Sequence, residues 1–249
     1  MSEYILVKDE GAVRVVRMNR PEKKNALTSS MYEAMTAAVT DAGASSPIRC
    51  VLLTGVPGAF CAGNDLQDFL SVAKGATHNP AAQTFLHALA RSERPLVAAV
   101  QGVAVGIGTT MCLHCDYVIA ADDARFSTPF VSLGLVPEAA SSLLGPRLIG
   151  YQRAFALLAM GLPLGAAAAH SCGLVNSIAT PETIDAEGMK AARHIAALPP
   201  EAVAMTRRLL RGSPEEIVSR IDEETRAFRE RLKSTEARAA LEAFTTRKR

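Results

Sequence analysis

The sequence predicts an α/β fold on three observations. Up to Leu198, short apolar runs with the make-up of buried strands alternate with segments of helical period. Two of those runs lead into glycine turns, at 55–66 and 102–108. Beyond Leu198-Pro199-Pro200, every segment reads as helix.

The chain is organised around Pro95 to Asp116. No Asp, Glu, Lys or Arg lies between Arg94 and Asp116, in a chain with 21% charged residues. Leu96 to Val100 suits a strand buried on both faces. Gly102, Gly106 and Gly108 then mark a turn where backbone must approach something closely, and Ile107 to Cys115 reads as a helix with no wet face. Strand, turn and helix start together aim free N–H groups at one point, which suits an anion or a developing oxyanion. A membrane span is excluded because the turn would break the helix mid-bilayer. A dinucleotide fingerprint fails because Met111 occupies the third glycine position.

Taken in order, Tyr4–Lys8 and Val13–Met18 read as a hairpin about Asp9-Glu10-Gly11. A helix follows with Ser30 and Glu33 spaced as a capping box, an apolar stripe of Met31, Met35, Ala38, Val39 and Ala42, and Gly43 as its stop. Ile48–Thr54 is a strand, and Gly55-Val56-Pro57-Gly58 opens the first glycine turn in chain order, with Asp65 as a candidate helix cap. Ser71–Pro80 reads as a loop, Ala81–Ser92 as a helix, Tyr117–Ala121 as a buried strand and Phe126–Phe130 as extended. A turn ending at Glu138 opens a helix near Ala139–Leu144. Helices follow at Tyr151–Met160 and Leu164–Ser171. Gly173-Leu174-Val175-Asn176 returns the chain to a strand, and Thr180-Pro181 starts a helix to Ala197. The last helices are Glu201–Arg211, one capped at Ser213-Pro214-Glu215-Glu216, and one capped by Ser234. Arg207, Arg208 and Arg211 read as a solvated face.

A net charge of +2 implies no strong polyanion partner, so neither nucleic acid nor membrane is expected. The N-terminus lacks the apolar core of a signal peptide, and TTRKR at the C-terminus is no recognised retention or peroxisomal signal. With five cysteines, a reducing, cytoplasmic compartment is expected. Cys112-x-x-Cys115 encloses His114 but has no second pair, which favours buried inert thiols over a metal site.

The recognisable pattern is NRPEKKNALT at 19–28, LLTGVPGAFCAGNDL at 52–66, RPLVAAVQGVAVGIG at 94–108, FSTPFVSLGLVPEAASS at 126–142 and GLVN at 173–176. In this order it resembles the crotonase (enoyl-CoA hydratase/isomerase) superfamily over nearly the whole chain. The resemblance implies a ββα spiral over 1–199, a helical oligomerisation region over 200–249, trimers or hexamers, and an acyl-CoA thioester substrate that brings the coenzyme A itself, with no other cofactor and no metal. By resemblance, the N–H groups of Asn64 and Ile107 bind the thioester oxygen, and Ile107 puts a bulky group beside its donor. Lys24, Ala26, Ala62, Asp65 and Leu66 contact the CoA nucleotide, while Phe244 and Arg247 close over it from a neighbouring subunit. The paired glutamates of the hydratases are replaced by Thr110 and Phe130. Glu138, in PEAASS, matches the base of the peroxisomal-type 3-enoyl-CoA to trans-2-enoyl-CoA isomerases. Two readings compete with this: a hydratase or another crotonase reaction, and a non-catalytic acyl-CoA-binding or scaffold protein. At Glu138, a helix N-terminus would lower the pKa and burial would raise it; the residues alone leave that open.

Overall fold

Each hydrophobic run from Cys50 to Ala121 is followed by a second, shorter strand. The resulting spiral is seen in a computed structural model that describes residues 2–45, 47–65 and 80–246, with the backbone alone for 244–246. Leu66, Arg247 and 71–79 of the expected loop lie outside the described residues, as does the side chain of Phe244.

The hairpin β1 (Ile5–Glu10) and β2 (Val13–Met18) turns at Gly11, one position later than expected. The 16-residue helix α1 (Ser29–Ala44) carries the expected buried stripe with Tyr32 added. Thr28, not Ser30, is its N-cap, accepting from the Met31 N–H, and Gly43 does not stop it. Then β3 (Cys50–Thr54) is followed by β4 (Ala59–Cys61) as one step of the spiral. After α2 (Ala81–Arg91), the second step is β5 (Leu96–Val100), β6 (Val103–Val105) and α3 (Ile107–Thr110), which passes into a 3-10 turn at Met111–His114. The third step is β7 (Tyr117–Ala121), β8 (Arg125–Ser127) and α4 (Ser141–Ile149).

With β9 (Leu164–Gly165) and β10 (Ser177–Ala179) added, one sheet runs in the order β1-β2-β3-β5-β7-β10, parallel beyond the first pair, and the remaining short strands form a second sheet, β4-β6-β8-β9. All five residues of β3 and of β5 are buried, as a strand covered on both faces requires. One cluster, holding Phe60, Phe85, Phe126 and Met31, fills the space between the sheets and helices; a smaller one lies under α7 on the other face of the long sheet.

The rest of the spiral is α5 (Tyr151–Leu158), β9 (Leu164–Gly165), α6 (Ala166–Ser171), β10 (Ser177–Ala179) and α7 (Ile184–Ala197). Thr183 is the N-cap residue of α7, not Thr180, because Thr180 and Thr183 first close a hydrogen-bonded turn. The chain ends in α8 (Pro200–Arg211), α9 (Pro214–Leu232) and α10 (Thr235–Thr246), with Ser213 and Ser234 capping as expected. Ile217, Val218, Ile221, Phe228 and Leu232 of α9 enter the main core, so this helix is held by its own chain.

The arginines of α8 correct the expectation of a solvated face. Arg207 Nε donates to both Asp116 oxygens at 2.8 and 2.9 Å, and Arg207 also donates to the Ser92 carbonyl. Arg211 packs near Asp116, and only Arg208 faces solvent. The partner lies ninety residues back in the chain, beyond the reach of any local pattern. Among the described residues no helix is long and apolar enough to cross a membrane.

Candidate active site

The two glycine turns meet. Gly63 takes φ 94°, and a Cβ there would lie 3.1 Å from the Val105 carbonyl oxygen. Gly108 approaches the other turn still more closely: its Cβ would stand 2.4 Å from the Cys61 oxygen. Only glycine permits this contact. Within the first turn, Leu27 N–H donates to Gly63 O at 2.8 Å and Asp65 N–H to Leu27 O at 3.0 Å. This parallel bridge uses the neighbours of Asn64 and leaves its own N–H out. In the second turn, Gly106 N–H donates to Ser127 O at 2.8 Å, and the Thr109 and Thr110 N–H groups donate to Gly106 O. Neither Asn64 N–H nor Ile107 N–H has an acceptor among the described residues. Ile107 buries its side chain in the main core, so it lends the turn a donor at a helix start, and the bulky group beside that donor points inward.

The third wall is Glu138. The helix expected to open near Ala139 begins at Ser141, because Ala139 (φ 65°) and Ala140 (φ 53°) both take the left-handed conformation. Two such non-glycine residues in a row are strained backbone of the kind found at functional sites. Glu138 therefore precedes the first helical turn and escapes most of the dipole effect. As a residue it keeps some exposure, but its Oε1 is buried without a hydrogen-bond partner. Burial pushes its pKa up to about 7, the like charge of Glu224 adds to the rise, and a hydrogen bond from Asn64 works against it. Burial thus decides the question the sequence left open.

Several residues that shape this site gave no sequence signal of their role. Tyr32 donates to Asn64 Oδ1 at 2.5 Å. That fixes the carboxamide, so its nitrogen is the group left to face Glu138. Buried His114 bonds the Ala139 carbonyl through Nε2 at 2.7 Å, and burial lowers its pKa to about 4, so it is a neutral donor steadying the strained turn. Tyr32 does share the stripe of α1, which helical spacing would have placed. His114 was visible only as the filling of the C-x-x-C. Its flanking cysteines are inert: the Cys112 and Cys115 thiols donate to Gly108 O and Met111 O, and burial raises both pKa values. Among the described residues no cluster of metal ligands occurs.

A profile of the enoyl-CoA hydratase/isomerase family matches residues 8–249. The chain belongs to that family. Its ββα spiral is the crotonase fold: superposition on OdaA from Pseudomonas aeruginosa gives a TM-score of 0.92 at 41% identity, covering 98% of this chain and 99% of that one. Enoyl-CoA delta isomerase 2 of Rattus norvegicus is 35% identical over 253 residues, 99% of this chain and 64% of the rat protein; this chain thus spans under two thirds of that relative. The 1,2-epoxyphenylacetyl-CoA isomerase of Escherichia coli is 35% identical over 209 residues, 80% of this chain and 78% of that protein.

The family acts on acyl-CoA thioesters, and four residues expected to contact the nucleotide do share one rim. Ala62 N–H donates to Lys24 O at 2.9 Å, and Arg20 spans the Ala26 carbonyl (2.9 Å) and the Asp65 carboxylate (2.8 Å). The Asp65 carboxylate is thus engaged by Arg20, with both side chains largely buried. Asn25, buried and at φ 58°, pins the rim by donating to Ala59 O and Phe60 O. Thr110 and Phe130, expected at the positions of the hydratase glutamates, are both buried.

Proposed function

We propose that this protein isomerises 3-enoyl-CoA to trans-2-enoyl-CoA, an acyl-CoA reaction of the fatty acid β-oxidation type, with Glu138 as its single acid–base. The observation that carries the reading is one buried carboxyl with a pKa near 7, hydrogen-bonded by the side chain of the residue whose backbone offers a free N–H. The Asn64 and Ile107 N–H groups form the oxyanion hole. Polarising the thioester carbonyl acidifies C2–H, and the donors stabilise charge that develops only in the transition state. Glu138 takes the C2 proton, and its electron pair delocalises through the carbonyl and the C3–C4 double bond. The same carboxyl returns the proton to C4, leaving the double bond between C2 and C3. The transfer balances with one carboxyl and calls for no redox group or metal. Lys24, Ala26, Ala62, Asp65 and Leu66 take the CoA nucleotide, with Phe244 and Arg247 of a neighbouring copy closing over it.

The chain acts as a cytoplasmic homo-trimer, or a pair of trimers, with neither nucleic acid nor membrane as partner. In support, α8 exposes Met205 (61%), Leu209 (80%) and Leu210 (82%), and a second apolar patch surrounds Tyr151 and Phe155. Five free cysteines suit a reducing compartment.

Glu138→Gln keeps the shape and removes the base. Followed by the ultraviolet absorbance of the conjugated thioester, turnover of a 3-enoyl-CoA falls about 10²–10⁴-fold with CoA affinity nearly unchanged. The wild-type enzyme hydrates crotonyl-CoA far more slowly than it isomerises, since Thr110 and Phe130 cannot activate water. Wild-type turnover in the variant would return Glu138 to a structural role, and the absence of turnover in the wild type would favour a binding protein.

A further inference from the structure

Helix α4, which follows the Glu138 turn, has alanine at its N-cap, and Ala140 has no side chain to accept from the first free N–H groups. The acceptor comes from the C-terminal helices. Glu224 of α9 is buried, and its Oε1 accepts from the Ser142 N–H at 2.9 Å and the Ser142 hydroxyl at 2.5 Å. Arg220, one turn earlier on α9, donates to that hydroxyl at 3.1 Å. The Ala140 backbone contributes another hydrogen bond to the same carboxylate. Glu224 Oε2 is buried without a partner. A local Ser or Asn at position 140 would supply a cap without bringing a charge into the interior. The charge therefore asks for a use beyond capping.

We propose that Glu224 is the positioning residue of Glu138: it anchors the left-handed turn that carries the base and sets a second buried carboxylate within electrostatic reach of it. This rests on the reading of Glu138 as the base. The turn is gripped from two sides, by His114 at the Ala139 carbonyl and by Glu224 at the residues just after. Glu224 of α9 and the Asn64 side chain act directly on the Glu138 carboxyl, and the Cys61 thiol feels its charge; neutral His114 of the 3-10 turn holds the adjacent Ala139 carbonyl, and Arg220 of α9 acts on Glu224. Burial raises the Cys61 thiol to about 12 and also raises Glu224 above the ordinary carboxylate range, which leaves Glu224 as the acidic group among them. Its Ser142 and Arg220 contacts favour its charged form against burial. A like charge nearby strengthens a carboxylate base.

Glu224→Gln keeps an acceptor for Ser142 and deletes the charge. In the full-length protein, the acid limb of kcat/KM for a 3-enoyl-CoA then moves to lower pH, so at pH 6 the variant retains a several-fold larger share of its plateau rate than wild type. Glu224→Ala also loses the anchor, and its plateau kcat falls about 10–100-fold with little change in KM. Ser142→Ala removes one donor that keeps Glu224 ionised and moves the limb the same way by less; it decides the matter if Glu224→Gln fails to fold. An acid limb that stays at its wild-type position overturns the role of Glu224 alone when Glu138→Gln is inactive. Activity in Glu138→Gln overturns the reading beneath it.

Discussion

Two parts of the molecule break the usual partition of polar groups inward-averse and apolar groups water-averse, in opposite directions. Around the two glycine turns, polar groups stand without a partner among the described residues: two N–H donors and the buried Oε1 of Glu138. Along α8, the surface holds leucines and a methionine, and no residue of that helix is buried. Buried polar groups are ordinarily satisfied and large apolar patches ordinarily covered. On the function proposed above, each exception has a counterpart: an oxygen that develops charge for the first, a second copy's surface for the second. Neighbouring α9 sharpens the contrast, since it too is amphipathic but spends its apolar face on the chain's own core.

The comparison breaks most sharply at Ile107. Ile107→Pro removes one interior donor at a position where proline still fits the first helical turn. Turnover should fall about 10²–10³-fold, the usual cost of one oxyanion donor; steady-state kinetics on a variant shown to be folded by circular dichroism provides the check, and wild-type turnover would mean that the free N–H binds nothing.

The next effect is pH dependence. A base with a pKa of about 7 is active when ionised, so kcat/KM should fall roughly tenfold for each pH unit below 7 and level off above it. Stability carries the opposite sign. The folded pKa lies above the ordinary 4.5, so the folded state binds the extra proton between those values, and stability declines as pH rises through that window. Denaturant melts of wild type and Glu138→Gln should differ there, with the variant free of the decline.

The smallest effect on the isolated chain belongs to α8. Leu209→Glu with Leu210→Glu leaves monomer stability within about 0.5 kcal/mol, because both side chains are exposed. The same pair should shift sedimentation at micromolar concentration from trimer to monomer. A wild type that sediments only as monomer would remove the premise.

Much of both regions was legible in the sequence, for physical reasons that differ. The strand Leu96–Val100 and the strand Tyr117–Ala121 appear where expected, since a continuous apolar run has few other uses. The meeting of the two glycine turns was readable because so few residues tolerate such an approach. Strands β4, β6 and β9 were missed: at two or three residues they are too short to show a period. The left-handed pair at Ala139 and Ala140 was invisible because alanine ordinarily favours helix, and tertiary contacts from His114 and Glu224 hold it elsewhere. Arg207, partly buried, was read as solvated for a related reason: its partner, Asp116, closes the other end of the central stretch.

The left-handed alanines have a consequence for anyone engineering the protein. Glycine at either position would relieve the strain, and a search for thermostability would rank those substitutions highly. Glycine would equally release the backbone on which Glu138 is mounted, widening the arc through which its carboxyl can swing. The turn is thus a place where robustness and precision pull apart: alanine keeps the chain slightly uncomfortable and the acid–base aimed.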